Sequence, residues 1–162
     1  MQLRLGVISD THDLVGPAAF RFLQGCDRIL HAGDICGAEV LDELAKIAPV
    51  TAVRGNNDRG DWARKLRETE RVELGGVAVY IIHDLKQIDI DPKAAGVRVV
   101  ISGHSHRPRC DEVDGVLYFN PGSAGPRRFN LPISIGELVV GGGKVSARLV
   151  DLETLSSPAG TS

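Results

Sequence analysis

The sequence predicts a single mixed α/β domain, and three observations carry that expectation. Short apolar, partly β-branched runs alternate with helix-like stretches as far as Val53, the pattern of a parallel sheet with crossover helices. The last third instead reads as hairpins, its runs separated by Gly141-Gly142-Gly143. In addition, five apolar runs stop at a carboxylate, an asparagine or a histidine, which puts ligand-type side chains on loops at strand ends.

In chain order, Leu3–Ile8 forms the first buried strand and breaks off at Ser9-Asp10-Thr11-His12. Gly16-Pro17 starts a helix with an apolar stripe of Ala18, Ala19, Phe22 and Leu23, which ends at Gly25. Arg28–Ala32 is the second strand and leads into Gly33-Asp34. The next helix follows Gly37, with Val40, Leu41, Leu44 and Ile47 on one face, and Pro49 closes it. Val50–Val53 then runs into Gly55-Asn56-Asn57-Asp58. Residues 58–73 are dense in charge and read as a solvated loop with a short helix. Gly75-Gly76 turns a hairpin between Arg71–Leu74 and Val77–Ile82, which ends in His83-Asp84. Pro92–Ala95 reads as a short helix and Val97–Ile101 as a strand that enters Gly103-His104-Ser105-His106. Val116–Phe119, Ile133–Val140 and Val145–Leu152 complete the strands.

At 162 residues the chain is long enough for one domain, 1–155, with a sizeable core; 156–162 reads as a frayed tail. A formal net charge of −2 gives no general attraction to nucleic acid or to an anionic membrane. Three cysteines without Cys-x-x-Cys spacing argue against a disulfide framework and for a reducing compartment. No run approaches the roughly 18 apolar residues of a membrane span, so a cytoplasmic protein is expected.

The strand ends together supply about eight oxygen and nitrogen donors: Asp10, His12, Asp34, Asn56, Asp58, His83, His104 and His106. Side by side, these loops converge on one rim, with enough donors for two metal ions sharing a carboxylate. Gly33, Gly55 and Gly103 precede donors, where the chain must turn sharply and admit an ion close to the backbone. A Gly-Asp pair alone is usually a turn, and a lone histidine usually a structural residue. It is the ordered set that points to a metal site. His31 lies inside a strand and reads as a core residue or a support for a ligand; Cys36 reads as a buried, inert thiol.

The series Asp10-Thr11-His12, Gly33-Asp34, Gly55-Asn56-Asn57-Asp58, His83 and Gly103-His104-Ser105-His106 resembles the calcineurin-like metallophosphoesterases. The chain's length, its Asn120-Pro121-Gly122-Ser123 motif and its non-histidine residue at 57 resemble their small bacterial and archaeal phosphodiesterase subfamily most. The resemblance implies two facing mixed β-sheets flanked by helices. It implies one metal held by Asp10, His12, Asp34 and His106 and a second held by Asp34, Asn56, His83 and His104, with Asp34 bridging. Asp34, Asn56, Asp58 and His83 are thereby expected to serve catalysis. The expected cofactors are two divalent ions, manganese first, with iron, zinc or nickel as the others. The implied reaction is metal-dependent phosphodiester hydrolysis by a metal-bridging hydroxide.

The chain departs from the family at two positions. Asn57 stands where much of the wider family has a histidine that protonates the leaving oxygen, and Asp84 stands where glycine is common. Asn57, Arg127 and Arg128 are the candidate substrate contacts, the arginines because they follow the Asn-Pro-Gly-Ser turn. The expected partner is a phosphorylated small molecule or nucleotide-like substrate, and a homo-oligomer is compatible with the sequence. The alternatives are a non-catalytic scaffold of the same fold, or a phosphomonoesterase or nuclease using the same site.

Overall fold

The computed structural model describes residues 2–12, 15–127 and 130–156. Two five-stranded mixed sheets face one another. The first has the order β10-β9-β1-β2-β3, made by β1 (Leu3–Ile8), β2 (Arg28–His31), β3 (Val50–Ala52), β9 (Ser134–Gly141) and β10 (Lys144–Asp151). The second has the order β4-β5-β6-β8-β7, made by β4 (Thr69–Leu74), β5 (Val77–Ile82), β6 (Val99–Ile101), β7 (Arg109–Val113) and β8 (Val116–Asn120). β1, β2 and β3 are parallel, as are β5, β6 and β8. In each sheet, therefore, several strand ends open onto one edge.

Alternation along the strands explains the layers. Leu5 and Val7 of β1 point into the core between the sheets, where they meet Val79, Ile81, Val99 and Phe119. Ile8 and Ile29 point the other way, onto α1 (Pro17–Leu23) and α2 (Ala38–Ala45) through Leu23, Val40 and Leu44. Gly6 shares that outer face, where a Cβ would meet Leu23 Cδ2 at 2.3 Å, so only glycine lets α1 sit this close. Each fully buried aliphatic side chain contributes about 1.5–3 kcal/mol.

α3 (Asp61–Arg64) and α4 (Leu152–Ser156) lie on the helical side too, through Trp62 and Leu152. The outer face of the second sheet is covered instead by Leu85, Ile88, Ile90 and Ala95, packed on Tyr80, Ile82 and Val100. Residues 92–96 there form successive turns rather than the expected helix. One strand, β7, is absent from the sequence reading; it pairs antiparallel with β8 and is exposed at all five positions. Ser156 closes α4, and the rest of the expected tail, 157–162, lies outside the described residues.

Candidate metal centre

The loops after β1, β2, β3, β5 and β6 meet at one rim between the sheets. Backbone bonds lace them together: Asp10 N donates to Gly33 O (2.9 Å), His12 N to Asp34 O (3.1 Å) and Gly103 N to His83 O (2.9 Å). Asp10, His12, Asp34, Cys36, His104 and His106 all have φ between 48° and 69°, a left-handed region that costs non-glycine residues energy. The strained residues come in three i, i+2 pairs, which is how a short loop aims two side chains the same way. Gly55 and Gly103 serve carboxylates rather than an ion directly. A Cβ on Gly55 would lie 2.2 Å from Asp34 Oδ1, and one on Gly103 would lie 2.6 Å from Asp10 Oδ2.

Two groups of donors form. Asp10 Oδ1 lies 3.4 Å from His106 Nε2 and 4.0 Å from His12 Nε2, and the two imidazole nitrogens are 3.4 Å apart. On the other side, His83 Nε2 lies 3.4 Å from Asp34 Oδ1 and 3.0 Å from Asn56 Oδ1, while His104 Nδ1 lies 3.2 Å from the same Asn56 oxygen. Asp34 faces both groups, since its Oδ2 is 4.0 Å from His12 Nε2. Asp10 also reaches both, with Oδ1 at 4.0 Å from His83 Nε2.

The hydrogen bonding of these atoms fits a cation. His83 Nδ1 is 2.7 Å from Ala32 O and must donate to it, so neutral His83 turns a lone pair on Nε2 toward two oxygen acceptors. Asp10 Oδ1 is buried without a hydrogen-bond donor, and so is His106 Nδ1 without a partner. Acceptors converging in a dry site need positive charge between them. Burial alone would lower the His83 pKa, but Asp34 and Asp10 raise it above the ordinary imidazole value. Burial alone would likewise raise Asp34, yet His83 and the Asn57 N–H groups hold it below the usual carboxylate range. Mixed oxygen and nitrogen donors without thiolate suit a borderline divalent ion.

The contacts made by Asp58 and Asn57 are not visible in the sequence, whereas His31 reads there as a core residue or support. Asp58 accepts from Asp34 N (3.0 Å), Gly55 N (2.7 Å) and Cys36 N (2.8 Å), so both its oxygens bind backbone and tie the second loop to the third. Asn57 donates from N and from Nδ2 to the two oxygens of Asp34, at 2.9 Å each. His31 is fully buried, accepts from Gly33 N and lies 3.2 Å from the Thr11 hydroxyl, which donates to Ile35 O. It is thus a support beneath the loops. Cys36 is not fully buried; its sulfur is 3.7 Å from His12 Nδ1. Asp84 Oδ2 is 3.9 Å from His104 Nε2, and Oδ1 accepts from Lys86 N. Arg127 pairs with Glu153 and donates to Leu131 O, and among the described residues it makes no hydrogen bond or ion pair to the ligand groups; Arg128 lies outside the described residues.

The fold and this rim define a class, and comparison with known proteins names it. Residues 3–141 match the calcineurin-like phosphoesterase superfamily domain, and the chain belongs to that family. It is 37% identical over 158 residues to a "Probable metallophosphoesterase" of Methanocaldococcus jannaschii, covering 92% of this chain and 81% of that protein. Among solved structures, it is similar to one titled as a novel archaeal phosphodiesterase, with TM-score 0.75 and 25% identity, over 91% of this chain and all of that one. It also resembles zinc-complexed Vps29 of Entamoeba histolytica, with TM-score 0.64 and 26% identity, over 93% and 99% of the two chains. Among the described residues no helix is long and apolar enough to cross a membrane.

Proposed function

We propose that the protein is a phosphodiesterase that works with two divalent metal ions. Asp10, His12, Asp34 and His106 hold one, Asp34, Asn56, His83 and His104 hold the other, and manganese is the ion to try first. Such ions supply positive charge for phosphate oxygens and activate water for attack on phosphorus. The observation that carries this reading is Asp34, whose two oxygens face His83 on one side and His12 on the other. Asn57 keeps that carboxylate turned both ways, and Asp58 holds its backbone. Both therefore act as positioning residues. Arg127, committed to Glu153, is left out of the substrate contacts.

Asn57 has no proton to give a leaving oxygen, so activated aryl diesters are the substrates to test first. The experiment is elemental analysis together with turnover of bis(p-nitrophenyl) phosphate by manganese-reconstituted protein. Two ions per chain and activity abolished by chelation are expected. Turnover that survives removal of metal would overturn the proposal, and metal binding without turnover would favour a non-catalytic scaffold.

A further inference from the structure

Beside the Asn56–His83–His104 side of the centre opens a cleft of about 720 Å³, and these three residues form part of its lining. It is lined from the end of β3 and the start of β4 by Arg54, Arg67, Glu68 and Thr69, and from the turn after β5 by Asp84, Gln87 and Asp89. Its volume falls in the range of roughly 300–1,000 Å³ that holds an organic ligand rather than a lone phosphate.

We propose that this cleft receives one ester arm of the substrate and that the arm is a nucleoside, so that nucleoside phosphodiesters are preferred. The inference rests on the phosphodiesterase reading and adds the group attached to phosphorus. The side chains of Arg67, Gln87 and Asp89 make no hydrogen bond or ion pair among the described residues. They offer a planar cation, an amide and a carboxylate in the cleft that Asn56, His83 and His104 also line. A carboxylate accepts from sugar hydroxyls, a guanidinium plane stacks on a base, and an amide pairs with a base edge. Arg54, held by Leu66 O and Glu68 Oε1, is a fixed part of the wall.

The same lining argues against other arms. Three carboxylates, Glu68, Asp84 and Asp89, face two guanidiniums, so a second phosphate meets net negative charge. Ile82 is the one large aliphatic residue in the lining, which leaves an acyl chain without an apolar wall. A phosphomonoester would leave the cleft unused.

The test keeps p-nitrophenol as the leaving group and varies the retained arm: thymidine 5′-, phenyl or methyl phosphate, on manganese-reconstituted protein. The thymidine ester should exceed the methyl and phenyl esters in kcat/KM by about tenfold or more. Arg67→Ala and Asp89→Asn should each shrink that ratio. In parallel, thymidine 5′-monophosphate should raise the thermal unfolding midpoint more than methyl phosphate does, and less so in Arg67→Ala. Equal kcat/KM for the three arms, or a ratio that neither variant changes, overturns the inference while leaving the phosphodiesterase intact. If no diester turns over, the phosphodiesterase reading falls, and the midpoints alone decide the cleft. An Arg67-dependent preference for the nucleotide supports it, and equal shifts overturn it.

Discussion

The Asp10–His12–His106 side of the centre and the Asn56–His83–His104 side each set two imidazoles beside one oxygen donor, a carboxylate on the first and an amide on the second, but differ in exposure. On the first side Asp10 is inaccessible and the His12 and His106 side chains are 10% and 6% exposed. On the second, the His104 side chain is 45% exposed and borders the cleft. All three donors of the first side sit at positive φ, whereas His104 alone does so on the second. The closed side is held by strained loops packed on the core; the open side is held by side-chain contacts to Asn56 and Asp84. One half is built to stay put, and the other to admit something.

The residue that erases this difference is Asp34, because it faces both halves. Asp34→Asn should deplete both metals and drop kcat below about a thousandth of wild type. His106→Ala should remove the closed-side ion and leave the other, and His104→Ala should weaken only the open-side ion. Metal stoichiometry by elemental analysis, beside turnover, checks all three. Equal losses in the two histidine variants would mean the halves are not separable.

A smaller effect is expected where the second and third loops are tied. Asp58→Ala leaves three backbone N–H groups without their acceptor in a buried site. The expected loss of stability is about 2–4 kcal/mol, read from urea unfolding of the metal-free protein. Asp58→Asn keeps acceptor oxygen and should lose less. Unchanged stability in Asp58→Ala, with activity lost, would return Asp58 to the reacting groups and remove its role as a clamp.

What the sequence made legible follows from local rules. Strand period and breakers gave the β1-α1-β2-α2-β3 order, because each apolar run there is buried and ends at glycine or a polar pair. That the candidate donors would meet at one rim was legible because Asp10-x-His12 and His104-x-His106 stand directly after such runs. β7 was not, since five exposed residues have no alternation and become a strand only through pairing with β8. Residues 92–96 fold as turns because their backbone bonds change span at each step, Ala95 N to Asp91 O, Gly96 N to Lys93 O and Val97 N to Pro92 O, and Gly96 at φ 76° ends any helix there. The contacts of Asn57 and Asp58, to the Asp34 carboxylate and to three backbone N–H groups, were not legible, because sequence cannot say where a side chain in a turn points. Arg67, Gln87 and Asp89 come from separate segments that only the sheet brings together, so no spacing could flag the cleft.

The last contrast between the halves lies in acid sensitivity, and His31 carries it. It supports the closed side from below, through Thr11, which stands between Asp10 and His12. Burial is the main reason its pKa falls from 6.5 to about 3, against the pull of Asp10 and Asp34. The folded value lies below the unfolded one, so on acidification the unfolded chain takes up this proton first. The contribution of His31 to stability is therefore complete above pH 6.5 and is lost as pH falls toward 3. One such group gives a slope of about 1.4 kcal/mol per pH unit within that window. Urea unfolding of chelator-treated protein at a series of pH values from 7 to about 5 reads it as the difference between wild type and a His31 variant, because most carboxylates titrate lower while His83, its pKa raised, bends the slope the other way in both proteins. His31→Asn should flatten the slope in that range, even if the variant is less stable overall. If the wild-type slope survives the substitution, the acid-sensitive group lies elsewhere, and the closed half is no more pH-bound than the open one.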